Sequence, residues 1–172
     1  RELKEGFPYL ANLKPGERIV SPSHVHSFCF RLDFDIDGAT DNVLEEFNYE
    51  PDETGSALAK GRWTRLNAEC GRRVNPETFR SWRIVNLKSK NSLGHPRSYQ
   101  LIPGGNGAYR GAKDDPFSQA DIWVTRHRTN EFPYSSADKR RTEKALPDYL
   151  NDESVDGEDI VVWYMLNFQH EP

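Results

Sequence analysis

Two histidines one residue apart, His24 and His26, open a stretch in which apolar and polar residues alternate as far as Asp37. Residues two apart on a β-strand point to the same face, so both imidazoles share a face with Phe28 and the later apolar residues. That face is expected to be buried, and an unpaired polar group there costs on the order of a few kcal/mol. Hydrogen-bond partners or a bound metal ion would satisfy both imidazoles.

The last residues show the same alternation in the opposite order. Asp159 begins this stretch and His170 ends it, and His170 shares its phase with the apolar residues at 160, 162, 164, 166 and 168. Antiparallel pairing of the two stretches would bring His170 beside His24 and His26. The same register would bring Asp159 beside three aspartates of the first stretch: Asp33, Asp35 and Asp37.

This register predicts two sites on opposite faces of one strand pair. Three imidazoles with open coordination positions suit copper or zinc. Carboxylate oxygens suit calcium or manganese. Both features also have plain structural explanations, since a His-x-His pair in a strand is often solvated and an aspartate run before a glycine is a common strand end. From spacing alone, a cupin-like or other histidine-rich β-protein fits as well as an oxidase.

The rest of the chain predicts an all-β fold with long connections. Turn residues bound further strand candidates at 61–67, 79–87, 98–102 and 120–126. We expect residues 1–23 to be loop-like, 38–61 to form an acidic connection, and 129–156 to form a polar loop with at most a short helix near 139–146. The sequence contains no repeat and no run of apolar residues long enough to span a membrane.

Composition bounds the function classes. A chain of 172 residues can build one domain's core, and its four Trp and nine Phe argue against intrinsic disorder. With 23 basic and 27 acidic residues the net charge is -4, which provides no electrostatic reason to bind nucleic acid. The sequence therefore predicts neither a nucleic-acid partner nor a membrane partner.

Five blocks of sequence resemble the copper amine oxidases, especially their fungal and bacterial members. The blocks occur in the family's order and are spread along most of the chain. They are HVHSFCFRLDFDIDG (24–38), SWRIVN (81–86), LGHPRSYQLIP (93–103), DIWVTRHR (121–128) and GEDIVVWYMLNFQHEP (157–172). The resemblance implies that the chain is part of a large antiparallel β-sandwich, the catalytic domain of the family. It also implies oxidative deamination of a primary amine with O2, which yields an aldehyde, ammonia and hydrogen peroxide.

Site residues follow from the resemblance by position. His24 and His26 match the family's His-x-His copper ligands, and His170 matches the third ligand. A second, structural cation site, usually calcium and alternatively manganese, is matched by three carboxylates and two backbone carbonyls: Asp33, Phe34, Asp35, Asp159 and Ile160. The implied organic cofactor is topaquinone, and the implied partners are the remainder of the catalytic domain and a second identical subunit.

The chain departs from the family pattern in its catalytic residues. The family makes topaquinone from a tyrosine in Asn-Tyr-Asp/Glu-Tyr upstream of His-x-His, and its base aspartate lies farther upstream. Asn48, Tyr49 and Glu50 resemble that motif, but Pro51 follows them and the segment lies downstream of His26. We therefore expect no catalytic residue in this chain, and we interpret residues 1–172 as an internal segment of the catalytic domain, truncated at both ends and inactive alone.

Several alternatives stay open at this point. The chain is either a segment of an active amine oxidase or a noncatalytic metal-binding β-module, and a peroxisomal, cytosolic or secreted parent is compatible with it. The sequence leaves the preferred amine undetermined, as it does any pairing of Cys29 with Cys70, although two cysteines without a framework are more often free thiols. We expect His95 and His127 to be structural or exposed.

Overall fold

The computed structural model describes residues 10–12, 20–22, 24–50, 54, 60–104, 107–111, 116–131 and 144–170. Within these residues β-strands predominate, with two short 3₁₀ turns (Pro76–Thr78 and Pro116–Gln119) and one short helix, α1 (Leu146–Tyr149). The strands are β1 (Leu10–Asn12), β2 (Val20–Pro22), β3 (His24–Asp33), β4 (Asn42–Glu50), β5 (Lys60–Leu66), β6 (Cys70–Arg72), β7 (Ser81–Lys90), β8 (Pro96–Leu101), β9 (Ile122–Arg126) and β10 (Ile160–His170).

Antiparallel pairing arranges these strands in two four-stranded sheets and one small pair. The first sheet has the order β3-β10-β9-β6 and the second has the order β5-β4-β7-β8, while β1 pairs with β2. The strand that carries His24 and His26 therefore lies at an edge of the first sheet, next to the last strand of the chain. The all-β antiparallel fold predicted from the sequence is confirmed.

The inner faces of the two sheets share one apolar core. β10 contributes Ile160 and Val162 from the first sheet, and β4 and β7 contribute Leu44, Trp82 and Ile84 from the second. Each of these side chains is essentially inaccessible to solvent. Because alternate residues of a strand point the same way, the even-numbered residues of β10 face the second sheet, as expected for a β-sandwich.

The outer face of the first sheet carries a second apolar cluster. The odd-numbered residues Val161, Trp163 and Met165 of β10 pack there with Trp123 of β9 and Leu146 of α1. β10 is thus apolar on both faces over its first half, which is typical of a central strand covered on both sides.

A buried carboxylate anchors the second sheet to β6. The Glu46 side chain on β4 accepts hydrogen bonds from Arg72, at 2.7 Å from both Nε and Nη2, and from the Trp82 indole N–H at 2.9 Å. Burial alone would raise the pKa of Glu46, but hydrogen bonds from Arg72, Asn48 and Trp82 and the Arg72 charge outweigh it and hold that pKa below its usual range. The negative charge of Glu46 is therefore balanced by the Arg72 guanidinium.

Two expectations about connections were wrong. The acidic stretch 38–61 contains β4, the strand between β5 and β7. The sequence did not indicate this strand because its inner face carries Leu44, Glu46 and Asn48, so an ion-paired glutamate lies where an apolar residue was expected. Residues 1–23 contain β1 and β2. The strand candidates at 61–67, 79–87, 98–102 and 120–126 correspond to β5, β7, β8 and β9. The short helix lies at 146–149, and the rest of its expected range, 139–143, falls outside the described residues.

Candidate metal centres

The three histidines named from the sequence lie together at one end of the β3 and β10 pair. His24 is directly opposite His170 in the antiparallel register, and His26 is opposite Phe168. All three side chains share the even-numbered face of their strands, because the chain alternates strictly through both segments. The strand register predicted from the sequence is confirmed.

The ring nitrogens of these histidines converge. The Nε2 atoms of His24 and His26 are 3.0 Å apart, and Nε2 of His26 lies 3.3 Å from Nδ1 of His170. One ligand atom from each of the three residues lies within 4.8 Å of the others. Such a set is either a chain of hydrogen-bonded imidazoles or a group of nitrogens that can bind one ion together.

The surroundings of the histidines differ from the sequence expectation. We expected a buried apolar face, but His24 and His170 are exposed and Phe28 and Phe168 are 46% and 44% exposed. The reason is that on these two strands the inner core ends at Leu32 and Tyr164, six residues from His26 and His170. The His26 ring stacks on Phe168 with centroids 4.8 Å apart, and Phe28 stacks on Phe168 at 5.7 Å.

Three carboxylates gather at the other end of the same strand pair. Asp33, Asp35 and Asp159 each offer an oxygen within 4.8 Å of the others. Asp33 pairs with Val161 in the register, so this cluster lies on the odd-numbered face, opposite to that of the histidines. The sequence prediction that these aspartates meet is confirmed for these three residues.

Asp159 carries the clearest signal in this carboxylate cluster. Its Oδ1 atom is buried and has no hydrogen-bond partner among the described residues. Burial raises the pKa of Asp159, the charges of Asp33 and Asp35 raise it further, and His127 and Arg31 oppose the shift. A buried carboxylate oxygen without a donor is costly, and a bound cation would satisfy it.

His127 borders this cluster, which the sequence analysis did not anticipate. Its Nε2 lies 3.4 Å from Oδ2 of Asp33 and its Nδ1 lies 3.6 Å from Oδ2 of Asp159. The backbone N–H of His127 also donates to the Asp159 carbonyl at 2.8 Å. Arg31 donates to Asp33 at 3.0 Å. The sequence places His127 just beyond the strand candidate at 120–126, but it does not indicate that this strand pairs with β10.

The other residues assigned to the cation site flank these carboxylates. The Phe34 carbonyl accepts a hydrogen bond from Nδ2 of Asn42 at 3.3 Å, and Ile160 is a core residue of β10 opposite Arg126. Asp37, which the register had placed with the other aspartates, lies apart from them. Its carboxylate accepts hydrogen bonds from Ser89 and Arg97, because the chain turns at Asp37 with a φ of 53°.

The two cysteines are free and lie on opposite faces of the first sheet. Cys29 packs on the outer cluster with Trp163 and Met165, whereas Cys70 packs on the inner core. Burial raises the pKa of the Cys29 thiol to about 12. A protonated thiol is a poor metal ligand, so Cys29 has no chemistry to add to the histidine cluster, which lies on the other face.

Comparison with known proteins identifies the family. The family model for the copper amine oxidase enzyme domain matches residues 4–172. The chain belongs to the copper amine oxidase family. A primary amine oxidase from Arthrobacter sp. (strain P1) is 32% identical over 182 residues, which cover 96% of this chain and 28% of that protein. The resemblance seen in the sequence is thereby confirmed.

Other copper amine oxidases show a similar extent of match. The histamine oxidase of Arthrobacter globiformis is 32% identical over 96% of this chain and 26% of its own length. The copper-containing benzylamine oxidase of Hansenula polymorpha superposes with a TM-score of 0.75 at 23% identity, covering 96% of this chain and 28% of that structure. That structural match shows the fold alone. The chain thus spans about a quarter of the length of the relatives it matches.

Proposed function

We propose that this chain is the copper-binding part of a primary-amine oxidase. The parent enzyme would convert a primary amine, O2 and water to an aldehyde, ammonia and hydrogen peroxide. The observation that carries the proposal is the convergence of three imidazole nitrogens on one face of β3 and β10, at His24, His26 and His170. Membership of the copper amine oxidase family supports it independently.

The spacing of these nitrogens fits a single metal ion. Ligand nitrogens about 2.0 Å from a metal, at angles of about 90° to 110°, lie about 2.8 to 3.3 Å from each other. The two measured separations are 3.0 Å and 3.3 Å. Imidazole nitrogen is a good donor to Cu(II), and three such ligands leave open coordination positions. His24 and His26 would bind through Nε2 and His170 through Nδ1.

The bound copper would supply redox chemistry, forming topaquinone from a tyrosine and supporting its reoxidation by O2 in the parent enzyme. The residues of this chain have the task of holding and orienting the metal. The Phe168 ring lies against His26 and restricts its rotation, so that its Nε2 stays directed at the other two imidazoles. An ordered ligand set lowers the entropy lost when the ion binds.

The carboxylate cluster would hold a second cation with a structural role. Oxygen donors suit calcium or manganese, and the unpaired Oδ1 of Asp159 is a ready ligand. Asp33 and Asp35 would add two more carboxylates, and the carbonyls of Phe34 and Ile160 would complete the set. Because β3 and β10 both contribute, the ion would tie the edge strand to its neighbour.

The quinone chemistry is assigned to residues of the parent enzyme that lie outside this chain. Tyr49, the only tyrosine in an Asn-Tyr-Glu context, lies on β4 in the second sheet, where its ring packs against Phe47 and Phe79. We therefore propose that the quinone-forming tyrosine and the base aspartate belong to the remainder of the catalytic domain, and that the parent is a homodimer. The chain alone would have no amine oxidase activity.

Copper titration of the 172-residue chain tests the proposal directly. We expect one Cu(II) per chain, with electron paramagnetic resonance hyperfine structure from three equivalent or near-equivalent nitrogens. Supplied with copper and benzylamine, methylamine or phenylethylamine, the chain should produce no peroxide and show no quinone absorbance. Binding of copper without nitrogen hyperfine structure would contradict the ligand assignment, and copper-dependent peroxide would contradict the assignment of catalysis elsewhere and direct attention to Tyr49.

A further inference from the structure

The histidine end of the β3 and β10 pair is a two-stranded ribbon. β10 pairs with β9 only from Ile160 to Tyr164, whereas its pairing with β3 continues to His170. The N–H of Met165 still donates to the Asp121 carbonyl at 2.8 Å, so residues 166–170 of β10 have β3 as their sole ladder partner among the described residues. A two-stranded pair without further strands is marginally stable. The three imidazoles thus lie on the least supported part of the sheet.

Register matters more at this ribbon than elsewhere in the sheet. His24 and His26 lie on one strand and His170 on the other, so the three nitrogens converge only when His170 is opposite His24. A slip of one residue would turn one strand's side chains to the other face and separate the ligands. Something in the ribbon must hold this pairing.

One directional contact does so on the face away from the histidines. Ser27 and Asn167 are opposite each other in the register, and the Ser27 hydroxyl donates to Oδ1 of Asn167 at 2.6 Å. Asn167 is only 5% exposed. A slipped register would leave this buried amide oxygen without its donor, and an unsatisfied buried acceptor is more costly than an exposed one.

The other face has the 3.3 Å contact between the His26 and His170 rings, whose donor and acceptor roles depend on the tautomers of both imidazoles, and aromatic contacts that are less specific. Phe28 and Phe168 stack on each other and on His26, and both phenyl rings are nearly half exposed. Aromatic stacking tolerates sliding better than a hydrogen bond of fixed length. Among the described residues, the Ser27 and Asn167 pair is therefore the buried contact that best distinguishes the correct register from its neighbours.

We infer that Ser27 and Asn167 are positioning residues for the copper ligands, an inference that rests on the proposed function. Neither side chain binds the metal, since both point to the opposite face of the strands from the three imidazoles. Their hydrogen bond locks the ribbon with His24 opposite His170 before the ion arrives. Partners outside the ligand shell that orient ligands commonly affect metal affinity about 10- to 100-fold.

The test compares copper binding of variants of the 172-residue chain. Ser27→Ala should weaken Cu(II) binding about tenfold and broaden the nitrogen hyperfine structure, because the ligand geometry becomes heterogeneous. Ser27→Thr keeps the hydroxyl and suits a strand, so it should bind within about twofold of the unmodified chain. Ser81→Ala is the matched control, since it removes a cross-strand hydrogen bond to Gln100 in the second sheet.

A double variant separates positioning from stability. Ser27→Ala with Asn167→Val removes both polar partners, so the melting temperature should recover toward that of the unmodified chain while copper binding stays weak. Recovery of both together would overturn the inference, as would equal affinity and spectra for Ser27→Ala and the unmodified chain. If the unmodified chain shows no three-nitrogen copper signal, the proposed function fails and this inference fails with it. A normal signal that is insensitive to Ser27 defeats this inference alone.

Discussion

The two ends of the β3 and β10 pair hold the two candidate sites under different structural support. At the aspartate end β10 lies between β3 and β9, is buried on both faces, and the Asp159 carbonyl accepts a hydrogen bond from His127. At the histidine end β3 is the one strand beside β10 in the part of the chain that the structure describes, and the aromatic rings around the imidazoles are nearly half exposed. Similar alternation in the sequence therefore produces one site with strands on both sides of β10 and one site with fewer neighbouring strands.

The two ends also differ in what their ligands need when no ion is bound. The imidazoles can hydrogen-bond to one another, as their 3.0 Å and 3.3 Å separations allow. The carboxylates repel each other, and Asp159 keeps a buried oxygen without a described partner and a raised pKa. If both ions bind as proposed, copper would replace the contacts between the imidazoles, whereas the second cation would stabilise the fold by relieving the repulsion between the carboxylates.

The largest effect is expected at the histidine end. His26→Ala removes the central ligand of the three, so copper affinity should fall at least about 1000-fold, about 4 kcal/mol. Isothermal titration or competition with a copper chelator measures this change. His95→Ala, in an exposed turn outside the cluster, is the control and should bind copper normally. Undiminished copper binding by His26→Ala would remove the basis for the comparison.

The second prediction concerns calcium binding at the aspartate end. Calcium at about 100 times its dissociation constant should stabilise the unmodified chain by about 2.7 kcal/mol, because it binds the folded state only. Asp159→Asn removes one charged ligand and should abolish this gain while copper binding persists. Thermal or urea unfolding with and without calcium measures it.

Asp37→Asn is the matched control for Asp159→Asn. Its carboxylate lies outside the cluster, and asparagine tolerates the positive φ of 53° at this position. Calcium should stabilise the Asp37→Asn variant as much as the unmodified chain. A calcium effect that survives in Asp159→Asn would show that the ion, if bound, is held elsewhere.

Glu46 can be compared with Asp159, because the Glu46 carboxylate is paired with Arg72 whereas Oδ1 of Asp159 has no described partner. The folded-state pKa of Glu46 is lowered, so its stabilisation is fully present above the unfolded pKa and is lost as pH falls through the lower, folded pKa. Glu46→Gln should cost about 2 kcal/mol at neutral pH, as its hydrogen bonds to Arg72 lose their charge assistance. The loss should shrink in acid. Urea unfolding from pH 7 down to pH 3 tests the sign, and a cost that grows as pH falls would contradict it.

The smallest expected effect concerns the backbone of β10 itself. Amides in the ribbon half, 166–170, should exchange with deuterium at least about tenfold faster than those in 160–164, a difference of about 1.4 kcal/mol in opening free energy. The structural reason is the loss of β9 as a neighbour beyond Tyr164. Copper should reduce the difference, while calcium should leave it unchanged. Equal protection of both halves in the metal-free chain would show that the ribbon has support beyond the described strands.

Local alternation made part of this structure predictable. The phase of β3 and β10 could be recognised because apolar residues recur at period two, and four further strands could be recognised from the turn residues that bound them. β4 could not, because its inner face carries Glu46 and Asn48, whose polar atoms are satisfied by Arg72 and Trp82 from other strands and by Arg80 just before β7. From the sequence alone a polar residue is expected to be exposed, because the buried partner that would satisfy it cannot be recognised.

The features of the two candidate sites also divide into those that the sequence determined and those that it did not. The sequence by itself determined which side chains can ligate, their faces and the antiparallel order that brings His170 to His24 and Asp159 to Asp33, since these follow from strand periodicity and pairing. Only the tertiary structure decided that the histidine face is exposed, that His127 lies against two carboxylates, and that Ser27 meets Asn167. The physical reason is that burial and side-chain contacts depend on where each neighbouring strand ends, which local alternation does not encode.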